Sequence, residues 1–415
     1  MRLHRSRAIL LSMIGSILLL AAILCGASML CAAILRLAGC SGWPVIGGIV
    51  AGIVLGPTIM GRIPALADIH ESLFVGGMEQ RQLLDETTRQ QVAAMLASEH
   101  AGTNLDDQRD AAEQHLIERQ RLEAALLDAR RRDQFPMRVL CAIAVVFVLL
   151  GAGGSQRASQ SGAGWIAPLS IGTWSAALPG AAAYFCCRAW FGFDETASLL
   201  ASAAVMIGPW RLRTADRNEA DRAEIGGART VEAAGRFASV IAIATVSWAV
   251  WRNAGVEGFL IASPLMALLP GWILPFMLSR MLRTAAVWLF IPMLAALTTV
   301  KIELLIHFSL WPILAFAILS GDGRWFGAVV GAMLPGGRRL LRTMRLVLGS
   351  MACGPTQLTV AAIALHHGLI QAELAYGLLC GAALIEVTAP LRRRAATEII
   401  ELEDEIDEMN RESQP

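Results

Sequence analysis

Charged and amide side chains set inside long apolar runs are where this chain could do chemistry. An ionisable group in hydrocarbon is expensive and marks an ion or proton path by default. Glu232 and Arg236 stand at the start of the run VEAAGRFASVIAIATVSWAVW. Lys301, the single lysine of the chain, and Glu303 stand at the end of WLFIPMLAALTTVKIELL. Gln357 lies in CGPTQLTVAAIALHHGLI, and Glu386 lies one turn before Pro390 in the last apolar run. A carboxylate in such a place can exchange a proton for a monovalent cation, and competition for one site would couple the two fluxes.

Each candidate has a plainer reading. Glu232 suits the first turn of a helix, where the dipole favours an acid. Arg236 is expected at an interface or paired, because a central arginine costs about 2.5–3.5 kcal/mol on insertion scales. Lys301 fits a snorkelling lysine at a membrane edge. Glu386 faces either the bundle or the headgroups. Asp322-Gly323-Arg324 reads as a self-neutralising trio that lines a cavity or forms a turn. His366 and His367 are adjacent and point to different helix faces, which argues against a metal site. Gly208-Pro209 and Gly354-Pro355 are pairs at which a helix breaks, kinks or ends.

These residues require membrane helices to position them. Hydrophobic residues make up 55%, mean hydropathy is +0.54, and charged residues are 17%, well below the usual quarter or so. A net charge of +1 provides no field to draw nucleic acid. The eight cysteines form no metal-spaced pairs and read as small buried hydrophobes. No Ser/His/Asp set, HExxH or P-loop occurs, so neither an enzyme nor a cofactor is expected.

Runs near the ~20 residues that cross hydrocarbon fall at 8–35, 44–64, 137–154, 165–187, 196–210, 233–251, 258–278, 285–300, 304–334, 346–365 and 372–391. The reading is an all-α polytopic membrane protein of about eleven helices. Asp322 and Arg324 interrupt the run 304–334, which is either one long helix or two short ones. Arginine clusters after the fifth, seventh and last runs and before the tenth put the N-terminus outside and the C-terminus inside. The organisation is then 1–67, first membrane helices; 68–136, a soluble insertion; 137–394, the main membrane domain; and 395–415, an acidic cytoplasmic tail forming a short amphipathic helix. Leu83, Leu84, Val92, Met95 and Leu96, then Leu116, Leu122 and Leu126, mark the insertion as a helical hairpin outside the cytoplasm.

The stretch Trp43–Pro64, WPVIGGIVAGIVLGPTIMGRIP, carries glycines that cost about 1 kcal/mol each in a soluble helix. In a bilayer they let a neighbouring helix approach closely. The order Pro44, Ile46, Gly47, Ala51, Gly52, Leu55, Gly56, Pro57 resembles the second transmembrane helix of the cation:proton antiporter superfamily, in its Kef-type and bacterial sodium/proton exchanger branch. The region 285–394 is similar to the last helices of that family. The resemblance implies inverted repeats with crossed, broken helices, and Gly208, Pro209, Gly354 and Pro355 are the break candidates. It also implies exchange of Na+ or K+ for H+ by alternating access in the inner (plasma) membrane. The partners are those ions, the bilayer and, where the dimer panel survives, a second copy.

The chain departs from that family where the ion site should be. Phe237 and Ala238 occupy the expected Asp positions, and Ser202-Ala203-Ala204 replaces a Thr-bearing motif. Cys353 and Gln357 replace an Arg and Glu pair, a joint loss that strands no charge. About eleven helices replace the family's thirteen. The alternative is therefore a degenerate, non-transporting membrane scaffold or sensor that uses the insertion to bind partners.

Overall fold

The computed structural model describes residues 2–76, 81, 83–89, 93, 105–153, 166–207, 240–248, 251–252, 276–333 and 354–412. Among these residues there are helices and turns but no strand. The main helices are α1 (Arg2–Leu37), α2 (Trp43–Leu55), α3 (Pro64–His70), α4 (Leu105–Asp133), α5 (Phe135–Gly153), α6 (Ile166–Phe185) and α7 (Glu195–Met206). They continue as α8 (Phe276–Ala285), α9 (Ile291–Thr299), α10 (Leu310–Ile318), α11 (Arg324–Met333), α12 (Gly354–His366) and α13 (Ala372–Glu412).

Five runs are long and apolar enough to cross a membrane: Ile14–Leu37, Trp43–Arg62, Leu116–Gly151, Arg280–Thr299 and Leu310–Gly331. Glu195–Met206 is apolar but shorter. Polarity is distributed inside out. Leu18, Leu30, Ile34, Ile318 and Phe326 are exposed, whereas Ser198, Thr298, Thr299 and Gln357 are buried. That pattern is costly in water and natural where the surrounding solvent is lipid.

Glycines fix how closely the helices pack. Gly47 of α2 faces Ala32 of α1, where an added Cβ would lie 2.5 Å from the Ala32 Cα. The next residue and its i+4 partner turn to α9. A Cβ on Gly48 would lie 2.6 Å from the Ala295 Cβ, and one on Gly52 would lie 2.6 Å from the Thr299 Cβ. Residues four apart share a helix face, so α2 offers one bare stripe to α9 and a second to α1. At one end of this unit the Arg36 guanidinium lies 4.4 Å from the Trp288 ring centroid, and Trp43 packs on Trp288 at 4.5 Å.

The innermost element is α12. It packs against α5, α7, α9 and α13, and Gly354–Ala364 together with His366 is buried. A helix buried on every face, with Thr356, Gln357 and Thr359 on it, is surrounded by protein and not by lipid.

The helix boundaries differ from the sequence reading at the run 196–210 and at the tail, and the run 304–334 takes one of its two expected forms. The run 196–210 is helical only to Met206. The run 304–334 is a single turn, Leu304–His307, followed by α10 and α11, which a wide π-type turn at Leu319–Gly323 joins. The tail is not a separate helix, because α13 runs unbroken from Ala372 to Glu412 through Pro390. Proline removes the donor to the Glu386 carbonyl, and the Ser41 hydroxyl donates to the neighbouring Val387 carbonyl at 2.9 Å. The second arm of the insertion, α4, feeds into α5 with only Gln134 between them. The expected hairpin break at 102–104 lies outside the described residues.

Gly52→Val should destabilise the purified protein by overpacking, a cost of about 1–3 kcal/mol, read as a lower Tm in detergent. Gly26 has nothing within 4 Å of an added Cβ, so Gly26→Ala should leave Tm unchanged or raise it slightly.

Candidate functional site

Helix α7 starts conventionally and ends in an unusual place. Asp194 caps its first turn by accepting from the Ala197 N–H at 3.4 Å, and the Ser198 hydroxyl donates to the Asp194 carbonyl at 2.8 Å. At its other end the backbone leaves the helix at Ile207, with ψ of 113°. Val205 and Ile207 are both buried there. The last carbonyls of a helix have no partner within it, and here they belong to buried residues.

Arg324 supplies the partner. Its side chain is buried, and Nη2 donates to the Val205 carbonyl and, at 2.7 Å, to the Ile207 carbonyl. A cation at the C-terminal end of a helix also opposes the negative end of the dipole. Local packing delivers the guanidinium. The wide turn Leu319–Gly323 offsets α11 from α10, and such turns concentrate at functional positions. Gly327 lies against the Trp174–Ser175 backbone of α6, and Gly180 leaves room for Met206. Asp322 is exposed, so Asp322-Gly323-Arg324 is not a self-neutralising trio facing one cavity. The extra residue of the wide turn separates an outer carboxylate from an inner guanidinium.

Next to α7, helix α12 carries the buried polar groups Thr356, Gln357 and Thr359. The Thr359 hydroxyl donates to the Thr356 carbonyl at 2.6 Å. Gln357 Nε2 donates to the Leu378 carbonyl of α13 at 3.1 Å, while its Oε1 is buried without a hydrogen-bond partner. On α9 the Thr298 and Thr299 hydroxyls bond back to Leu294 and Ala295 at 2.8 Å. Among the described residues no Asp or Glu is buried. Among the described residues Arg324 is the buried member of the Asp, Glu, Lys and Arg set.

The remaining sequence candidates separate. Glu386 is half-buried at the start of α12, where its Oε1 lies 2.9 Å from the position of a Cβ on Gly354. A carboxylate beside a helix N-terminus is favoured by the dipole. Gly354 and Pro355 are the first two residues of α12, and proline suits a first turn because its missing N–H would be unpaired anyway. Glu303 does not join Lys301. It pairs with Arg62 at 2.9 Å at a partly exposed position, an arrangement worth about 0–1 kcal/mol. Glu232, Arg236, Gly208 and Pro209 lie outside the described residues, and α7 ends just ahead of the last two.

Lys301 follows α9, in the connection between two candidate spans. Its Nζ donates to Gln134 Oε1 at 3.2 Å, and His366 at the end of α12 meets the Leu297 carbonyl at 3.2 Å. Burial first and the nearby Arg138 second push Lys301 down to about 8, against a smaller opposing effect of Cys141. Burial, then Arg138 and Lys301, lowers His367 to about 4.

In the sequence Arg324 stands out by little. The signal was the cost of an arginine in an apolar run, which applies to Arg324 as fully as to Arg236. Among the described residues no group of His, Cys, Asp and Glu is arranged to hold a metal ion. Comparison with protein-family models finds none that matches the chain, and comparison with curated proteins finds no match either.

Between about pH 8 and 10.5 the unfolded chain holds the Lys301 proton more tightly than the folded one, so stability should rise with pH across that window. Tm measured in detergent from pH 7 to 10.5 should show this rise, and Lys301→Met should flatten it.

Proposed function

We propose that the protein is a carrier of the cation:proton antiporter type, exchanging Na+ or K+ for H+ by alternating access. In this reading about eleven helices form two inverted repeats, and α7 and α12 are the inner helices of the two halves. The observation that carries the reading is the buried end of α7. A half-length helix that stops inside a bundle presents backbone carbonyls, and in carriers such ends hold the coupling cation near the midplane. The polar side of α12 and the small-residue packing of α2 fit the same architecture. So does the order of residues in Trp43–Pro64.

The proton-carrying group is Glu232 in this reading, the acid nearest the position where similar carriers keep an Asp. Glu386 is a structural partner of the α12 terminus. A second reading has its own support. With no buried carboxylate among the described residues, the chain fits a non-transporting scaffold that presents the 68–136 insertion to partners.

Proteoliposomes holding the purified protein, an imposed pH gradient and an acridine-type dye separate the two readings. Carrier function gives dequenching on addition of Na+ or K+, abolished in Glu232→Gln and retained in Glu386→Gln. No response from folded, inserted protein supports the scaffold.

A further inference from the structure

We infer that Arg324 is a tethered competitor for the cation site at the end of α7, so that a free monovalent cation binds only when the guanidinium withdraws. This rests on the carrier reading for the site and goes beyond it in naming what regulates occupancy.

The argument starts from the acceptors. Carbonyl oxygens are hard neutral ligands suited to Na+ or K+, and the C-terminal dipole adds negative potential. Val205 and Ile207 offer two such oxygens to one nitrogen, at a helix end where Ala203, Ala204 and Val205 are all at 0% exposure. That nitrogen is Nη2 of Arg324. One nitrogen bridging two carbonyls stands where a metal cation would sit. An arginine is charged at every working pH, so the occupancy cannot be relieved by deprotonation.

The tether also has a route out. Arg324 is the first residue of α11, directly after the wide turn Leu319–Gly323, and Gly321 and Gly323 lie within that turn. Ser320, buried in the same turn, has a hydroxyl with no hydrogen-bond partner. A change in this turn would swing the guanidinium away while leaving α7 in place. Occupancy by Arg324 is thus a switch between a closed helix end and an open cation station.

The consequence is an affinity penalty. If the station is open about a tenth of the time, the apparent affinity for the cation falls about tenfold. Arg324→Gln removes the competing charge and keeps a side chain of similar reach. The experiment titrates Na+ and K+ against choline at constant ionic strength, reading Tm in detergent and dye dequenching in proteoliposomes. The expected result is a half-saturating concentration about tenfold lower in Arg324→Gln than in wild type. Arg324→Lys, which keeps the charge on a shorter side chain, should fall between them.

Equal half-saturation in wild type and folded Arg324→Gln would overturn the inference, as would no cation-specific effect in any folded variant. If Arg324→Gln does not fold, Arg324→Lys is read by the same criteria. Cation-specific Tm shifts without dequenching would keep the competitor and discard antiport. Dequenching that Arg324→Gln leaves unchanged would keep antiport and discard the competitor.

Discussion

A helix that ends inside an apolar bundle must find partners for its last carbonyls, and the rest of this structure is arranged around meeting that need. In water the solvent would supply them. Here Val205 and Ile207 are sealed from solvent, so the partner has to come from another helix. Arg324 provides it with charge as well as hydrogen bonds, and a charge-assisted bond is roughly twice as strong as a neutral one. The cost of burying an arginine is offset only while those carbonyls are present. Helix end and guanidinium therefore require each other.

Close packing holds this pair in register. Gly180 admits Met206, and Gly323 and Gly327 bring α11 against α6. On the other side, α12 separates α7 from α9, and the glycine stripe of α2 holds α9 close. The charges at the helix ends are complementary. A carboxylate, Glu386, lies at the start of α12, and a guanidinium lies at the end of α7. Dipoles that would be poorly screened in a low-dielectric interior are met by fixed charges of the right sign.

Much of the fold was legible in the sequence because membrane helices obey a simple rule of length and hydropathy. The runs at 137–154 and 165–187 became α5 and α6 within a few residues. The glycine order in Trp43–Pro64 correctly indicated a helix in very close contact with neighbours. The breaks were less visible. Gly208-Pro209 marks a break at the end of 196–210, and α7 ends just ahead of it at Met206, but nothing in that run points to the side chain more than a hundred residues later that meets its last carbonyls. The wide turn at 319–323 was hidden for a related reason. A single inserted residue changes which face Arg324 occupies without changing hydropathy. Lys301 and Glu303 end the same apolar run, yet Arg62 draws Glu303 outward while Gln134 holds Lys301. The last helix runs on through Pro390 to Glu412, so the tail that read as a separate element is its continuation.

The most direct measurement of the central claim is hydrogen–deuterium exchange of the peptide covering α7, in wild type, Arg324→Gln and Arg324→Lys. If Arg324 closes the helix end, removing it frays the last turn. Exchange at the Ile207 amide, which bonds to Ala203 at 3.0 Å, then rises by at least about tenfold, the equivalent of about 1.4 kcal/mol, with α2 unaffected. Arg324→Lys shows a smaller rise. Unchanged exchange in folded Arg324→Gln would mean that the carbonyls are satisfied without it, and the account built on that pair would be wrong.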